Sequence, residues 1–187
     1  MLLLNRIELL NQSKKILLSA SCIFCFSLAF AASKYEEITW DKLMPKDFDQ
    51  YTMYDALDFS SYNIQTLGDD DPEAQRLYAD LMAIHEHTPM EPSIEGLDAK
   101  LPGFIVPLEM EDDLVTSFFL VPYYGACIHT PPPPPNQMVY VETDGIKLKS
   151  LEDPVWVSGR IELEKVTNEV GIAGYVMHTN LVESYYK

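Results

Sequence analysis

The chain has 187 residues, a length typical of one domain, and a formal net charge of −16 at pH 7. A charge of this size and sign repels nucleic acid and anionic membrane surfaces, so we expect no nucleic-acid partner. Because the chain carries 29 Asp and Glu residues, no carboxylate pair stands out for acid–base chemistry. It contains neither a glycine-rich phosphate loop nor a serine-centred elbow.

Residues 1–31 have the features of a secretory signal peptide. Three basic residues precede an apolar stretch over residues 16–30, and residues 29–31 read AFA, a small-x-small cleavage site. The stretch is short for a helix that spans a membrane. We therefore predict cleavage after Ala31, export to the periplasm and no membrane span in the mature protein. An uncleaved anchor is the alternative.

Cleavage would leave a single cysteine. Cys22 and Cys25 would be removed with the signal peptide, so Cys127 could form no internal disulfide. A lone cysteine in an exported protein is buried, metal-bound, reactive or paired between chains.

We predict that residues 32–187 form one domain, in which residues 32–100 are helical or irregular. A short helical turn is expected over residues 40–45, stopped by Pro45. Residues 48–61 are rich in Asp and Tyr and show no clear period, so this stretch is expected to wrap the surface.

One longer helix is predicted over residues 72–85. Asp71 is suited to the N-cap and Pro72 to the first helical position. Leu77 and Leu81 begin an apolar stripe at helical spacing, and His85 lies at the end of that face, where we expect it to be partly buried.

From residue 101 onward the pattern becomes that of strands, so residues 101–187 are predicted to form a β-barrel. Alternation and apolar runs predict strands over residues 104–108, 117–124, 138–141, 155–163 and 175–182. The second of these is apolar throughout, which is typical of a strand buried on both faces. Turns are predicted at residues 111–113 and 143–145, and a bulge or bend at Gly159. The expected fold is mainly β (α+β), a five-stranded OB-like Greek-key barrel with an N-terminal helical segment; a small sandwich is the alternative.

The most distinctive stretch is a cysteine–histidine pair followed by a proline run. Residues 125–130 read GACIHT, and residues 131–137 read PPPPPNQ. In an extended backbone, Cys127 and His129 point to the same side because they alternate with Ile128. The prolines fix their φ angles and favour polyproline II, so the loop is expected to be stiff.

A metal site is one hypothesis for this loop. Thiolate and imidazole are preferred ligands of zinc and copper, so Cys127 and His129 are candidate ligands, with Glu109 as a third. A lone cysteine in an apolar strand is also commonly a small buried hydrophobe. We predict no enzymatic activity, because side chains two residues apart on one strand lie in parallel and no cysteine-protease signature surrounds Cys127.

A protein-interaction surface is the other hypothesis. Tyrosines next to a rigid proline loop are typical anchors of interfaces. The candidate interaction residues are Tyr123, Tyr124, Pro131, Pro132, Pro133, Pro134, Pro135, Asn136 and Gln137. Equally, the prolines could cap a barrel rim and shield an edge strand.

Four motifs resemble the DUF3299 family, exported bacterial proteins of unknown function. They are LPGFIVPLE at residues 101–109, FLVPYYGACIHTPPPPPNQ at 119–137, PVWVSG at 154–159 and AGY at 173–175. The resemblance covers Trp40 and then residues 101–186. The motif residues carried over are Glu109, Cys127, His129, Asn136 and Gln137.

The resemblance implies a periplasmic accessory of an ABC-transporter system, in some members in a zinc-responsive setting. We therefore expect a binding protein that takes zinc or copper through its proline-rich loop and whose partner is an envelope transporter or another periplasmic protein. The alternative function is a metal-free interaction module that uses the proline–tyrosine loop.

Overall fold

The computed structural model describes residues 34–49, 52–55, 57–62, 68, 71–126 and 132–186. The predicted signal peptide lies outside these residues. Residues 35–187 form one compact unit. Among the helices of the described residues, none is long and apolar enough to cross a membrane.

Strands dominate the described chain. It contains one α-helix, α1 (Pro72–His85). The strands are β1 (Glu36–Glu37), β2 (Asp98–Glu111), β3 (Leu114–Val121), β4 (Val139–Ile146), β5 (Val155–Arg160), β6 (Val166–Thr167), β7 (Ile172–Ala173), β8 (Tyr175–His178) and β9 (Leu181–Ser184). Short 3-10 helices cover Trp40–Leu43, Thr52–Tyr54, Phe59–Ser61, Pro92–Ile94 and Pro135–Gln137.

Six strands form the main sheet in the order β8-β4-β3-β2-β5-β9, and β1 pairs with the first half of β2. The β4–β8 and β1–β2 pairings are parallel, and the other pairings in this sheet are antiparallel. Strands β6 and β7 form a separate small hairpin. The sheet is therefore a curled, mixed half-barrel, which confirms a mainly β fold with one helix. It does not confirm a five-stranded OB-like Greek key.

The curl centres on Gly103 in the long strand β2. Up to Gly103, β2 pairs with β5, and from Phe104 it pairs with β3. A Cβ atom at Gly103 would lie 2.7 Å from the carbonyl oxygen of Val121, too close for any side chain. Glycine thus lets β3 cross close to β2 where the pairing changes.

Strand β3 is buried on both faces, as its apolar run predicted. Phe118 and Leu120 belong to the larger core cluster, whereas Phe119 and Val121 belong to a second cluster. Both clusters exclude water from β3, and burial of each large side chain contributes about 2–3 kcal/mol. The second face must be covered by segments outside the sheet, and this requirement positions the candidate site.

The structure confirms the predicted helix, with its bounds and its start. The Asp71 carboxylate accepts a hydrogen bond from the backbone N–H of Glu73 at 2.8 Å, and Pro72 occupies the first turn. Leu81 and His85 are its buried residues, so the predicted face is the one that packs. The predicted helical turn at residues 40–45 is present as a 3-10 helix.

Three local predictions were wrong. Residues 143–145 lie inside β4 and form no turn. The pairing register with β3 shifts at this point, and Gly145 adopts a φ of +123° there. Gly159 is not a bulge: it pairs regularly with Ala99, and its missing side chain leaves room for Thr179, 3.3 Å from where a Cβ would lie. The predicted strand over residues 175–182 is two strands, since β8 pairs with β4 and β9 with β5.

The limits of the strands also differ. Strand β2 extends over Asp98–Glu111 where residues 104–108 were predicted, β3 begins and ends three residues earlier than predicted, and β4 extends to Ile146. Strand β5 ends at Arg160, whereas the alternation predicted it to residue 163. Strand β1 lies in the segment predicted as helical or irregular, because two residues are too few to show a period.

The hydroxyl of Tyr175 joins two N-terminal segments to the sheet, which gives a test of the packing. It donates to the carbonyl oxygen of Leu43 at 2.6 Å and accepts from the backbone N–H of Glu91 at 2.8 Å. Tyr175→Phe should lower the free energy of unfolding by about 2–3 kcal/mol, because both backbone groups lose their partner. Urea unfolding measures this. Tyr140→Phe is the control, since the Tyr140 hydroxyl has no hydrogen bond within the described residues; an equal loss in both variants would contradict the assignment.

Candidate functional site

The proline segment is fixed to the outer side of the sheet. Pro132 to Pro135 are all buried. The Pro135 carbonyl accepts a hydrogen bond from the backbone N–H of Gly174 at 2.8 Å, just after β7. Because proline offers no N–H of its own, carbonyl groups anchor this segment.

Two buried amide side chains complete the anchoring. Asn136 donates through Nδ2 to the carbonyl oxygen of Pro89 at 3.1 Å, after the end of α1. Gln137 donates through Nε2 to the carbonyl oxygen of Trp40 at 3.0 Å. The segment thus binds both N-terminal elements, and its position is set by hydrogen bonds as well as by packing.

An apolar groove of about 550 Å³ lies between α1, the proline segment and the 3-10 helices Thr52–Tyr54 and Phe59–Ser61. This volume is typical of a site for a small molecule or a short peptide stretch. Its lining residues are uncharged: Tyr54, Phe59, Leu77, Leu81, Pro122, Tyr123, Pro132, Pro133, Pro134 and Gln137.

The polar end of the groove is a tyrosine–histidine pair. The Tyr54 hydroxyl oxygen lies 2.8 Å from Nε2 of His85 in a hydrogen bond. His85 is fully buried, and this burial lowers the pKa of its imidazole to about 4, so His85 is neutral at pH 7. Burial, and secondarily the neighbouring Tyr123, raises the pKa of Tyr54 to about 12, so its phenol stays protonated.

The structure brings together five of the nine predicted interaction residues. Tyr123, Gln137 and residues 132–134 line the groove. Pro135 and Asn136 lie outside it and serve as anchors, whereas Tyr124 packs its ring on Phe104 with centroids 6.0 Å apart. Pro131 lies outside the described residues.

The predicted metal ligands are not tested by the described chain. Cys127 and His129 lie outside it, and within it no group of three Cys, His, Asp or Glu side chains could hold a metal ion. Glu109 accepts a hydrogen bond from Ser117 at 3.3 Å. Strand β3 ends at Val121, which pairs with Phe104 of β2. Glu109 lies five residues further along β2, so it is roughly 15 Å from the end of β3. This position gives Glu109 no described contact with the loop.

One wall of the groove was not predicted from the sequence. Tyr54 and Phe59 come from a stretch without periodicity, so no pattern indicated which way they point. Leu77 and Leu81 were recognised as an apolar stripe but were assigned to helix packing alone. The available signal was that His85 lies on the same helix face as this apolar stripe. A histidine in that position indicates a polar group within an apolar contact surface.

A family model for proteins of unknown function, DUF3299, matches residues 40–184. The crystal structure of a DUF3299 family protein from Pseudomonas aeruginosa PAO1 is similar, with 36% sequence identity and a TM-score of 0.60. The similarity covers 82% of this chain and 97% of that one. No curated protein matches the chain.

The buried His85 predicts a pH dependence of stability. Because its pKa is about 4 in the folded state and about 6.5 in the unfolded state, the unfolded chain binds the proton more readily between these values. Stability from this group is fully present above pH 6.5 and is lost as the pH falls toward 4. Between pH 7 and pH 4.5 the loss should be roughly 2–3 kcal/mol.

Urea unfolding of the wild type and His85→Gln at both pH values isolates this contribution, because the carboxylates titrate in both proteins. His87→Gln, at an exposed histidine just beyond α1, is the control and should behave as the wild type. The same pH dependence in His85→Gln and the wild type would show that His85 is not the group responsible.

Proposed function

The chain belongs to the DUF3299 family, and we propose that it is a protein-interaction module of the cell envelope that binds an extended, proline-rich segment of a partner protein. The observation that carries the proposal is the groove itself. Among the described residues, its lining consists of tyrosine, phenylalanine, leucine, proline and glutamine side chains, none of which is charged. Such a surface suits a ligand that offers apolar rings and carbonyl oxygens.

The chemistry of the lining favours a polyproline II ligand. Domains that bind proline-rich segments use grooves lined by aromatic side chains, against which the preformed helix packs at a low entropic cost. Here Tyr54, Phe59 and Tyr123 supply the aromatic rings. Residues 132–134 form a stiff wall, because their φ angles are fixed and they are buried, so little order is lost on binding.

The charge around the groove selects against acidic ligands. Asp55, Asp58 and Asp80 are exposed and adjoin groove residues in the sequence. The chain as a whole has a formal net charge of −16 at pH 7. The partner segment is therefore neutral or basic. An envelope transporter or another periplasmic protein is the proposed partner, and export by a cleaved signal peptide is part of this proposal.

Photo-crosslinking in cells tests the proposal. A benzoylphenylalanine in place of Phe59, which is 42% exposed at the groove, should form a crosslink to a proline-rich peptide without acidic residues. Adding Tyr123→Ala should reduce that crosslink about fivefold or more, because a groove aromatic is a typical anchor. Mass spectrometry of the crosslinked peptide is the measurement.

Tyr186→Ala is the matched control, since Tyr186 is 66% exposed and lies outside the groove. It should leave the crosslink unchanged. A crosslink that persists in Tyr123→Ala, or one to an acidic segment without proline, would rule out this use of the groove.

A second proposal concerns the same loop: Cys127 and His129 bind zinc or copper. The thiolate and imidazole donors suit either metal, and the described prolines that follow, residues 132–135, are buried and anchored to Gly174. Glu109 is proposed as the third ligand, although its described hydrogen bond is to Ser117.

Metal content of residues 32–187, purified without an affinity tag and dialysed against trace zinc and copper, tests this proposal. About one equivalent is expected for a single site, falling to near zero in Cys127→Ala and unchanged in His178→Ala. A protein without bound metal, or with equal metal in all three forms, would refute it.

We further propose that the sheet closes as an OB-like Greek-key barrel. The hydrogen-bonded order β8-β4-β3-β2-β5 would become a five-stranded ring if β5 also lay beside β8, with β4 and β8 parallel. Closure between β5 and β8 is supported by Glu162, just after β5, which exchanges backbone hydrogen bonds of 3.0 and 2.9 Å with Val176. Strong protection of the Val176 amide against hydrogen exchange is expected for a closed barrel, whereas exchange at the rate of an edge strand would refute it.

A further inference from the structure

Three buried polar atoms behind Tyr54 have no hydrogen-bond partner within the described chain. They are Nδ1 of His85, Oγ1 of Thr88 and Oδ1 of Asn136, and all three residues are buried. An unpaired buried polar group costs free energy, so each one in a native protein calls for a partner such as an ordered water molecule.

Two hydrogen bonds bring the three residues close together. The N–H of Thr88 donates to the carbonyl oxygen of His85 at 3.0 Å, in the turn that ends α1. Asn136 donates through Nδ2 to the carbonyl oxygen of Pro89, the residue after Thr88. A polar site with three partners is the typical setting of a buried water molecule.

We infer that a buried water molecule binds between His85, Thr88 and Asn136 and thereby fixes Tyr54 as a hydrogen-bond donor to the groove. The water accepts the Thr88 hydroxyl proton and donates its two protons to Nδ1 of His85 and Oδ1 of Asn136. Every donor and acceptor is then matched. With a proton on Nδ1, either one water proton or the Thr88 hydroxyl proton would be left without an acceptor.

The state of Tyr54 follows from the histidine tautomer. A neutral imidazole carries one N–H, so an Nδ1 that accepts from water leaves the proton on Nε2. Nε2 then donates to the Tyr54 oxygen, 2.8 Å away. The Tyr54 O–H is therefore free to point into the groove, where it needs an acceptor.

This deepens the proposed function and rests on it: the groove ligand presents a carbonyl oxygen to Tyr54. A polyproline II segment fits, because its carbonyl groups make no internal hydrogen bonds. The opposite tautomer would turn the Tyr54 proton toward His85, and the groove would then offer an acceptor and favour a ligand that donates.

Nitrogen-15 spectra of the histidine rings of residues 32–187 at pH 7 test the tautomer without any partner. We expect Nε2 of His85 in the protonated range and Nδ1 in the unprotonated range. A protonated Nδ1 would overturn the inference, whatever the crosslinking experiment on the proposed function shows.

Thermal unfolding tests the water. Thr88→Val removes the hydroxyl that donates to it, so Tm should fall by about 4 °C or more. Thr167→Val, at an exposed threonine in β6, is the matched control and should change Tm by less than about 2 °C. An unchanged or raised Tm in Thr88→Val would show that the hydroxyl has no partner and would overturn the site.

Titration with decaproline blocked at both ends tests the donor. We expect binding to the wild type and a roughly fivefold weaker affinity in Tyr54→Phe, with Tyr186→Phe unchanged. Equal affinity in Tyr54→Phe, or no binding to the wild type, would overturn the carbonyl contact. The crosslinking experiment then decides separately whether the groove binds a partner at all.

Discussion

The buried amides of Asn136 and Gln137 are the constraint on which the site depends. They donate to the carbonyl oxygens of Pro89 and Trp40, which are 47 and 97 residues away in the chain. Asn136 and Gln137 are the buried partners, and a buried amide that lost its acceptor would cost about 1–3 kcal/mol. The amides therefore specify where the end of α1 and the first 3-10 helix lie relative to the proline segment. Apolar packing alone is less directional and would fix these positions less closely.

The groove exists because the outer face of the sheet is apolar and must be covered by segments outside the sheet. Strand β3 buries Phe118 on one face and Phe119 on the other, and a curled sheet encloses only its inner face. The outer face is covered by Ala126, Met138 and Ala173, which come from the segments around the proline run. Helix α1 packs beside that cover. The meeting of two irregular surfaces leaves the apolar space that we assign to a ligand.

The proline segment combines stiffness with a defined set of hydrogen-bonding groups. Its prolines cannot donate, so the groups available to it are carbonyl oxygens and the two amide side chains. The Pro135 carbonyl accepts from Gly174, where a Cβ would lie 2.8 Å from the oxygen. A side chain at Gly174 would push this anchor away. The AGY motif and the proline run thus form one structural unit, although 38 residues separate Asn136 from Gly174.

The local pattern of residues was sufficient to predict helix α1 and the apolar strand β3, because capping and periodicity act over a few residues. Tertiary structure alone decided that β8 and β9 are separate strands, since pairing with β4 or with β5 is a long-range choice. It also decided that Tyr54 and His85 meet, 31 residues apart, at the end of a groove. A hydrogen bond between distant residues leaves no periodic trace in the sequence. The sequence therefore determined which side chains carry the chemistry, and the packing of distant segments determined which of them act together.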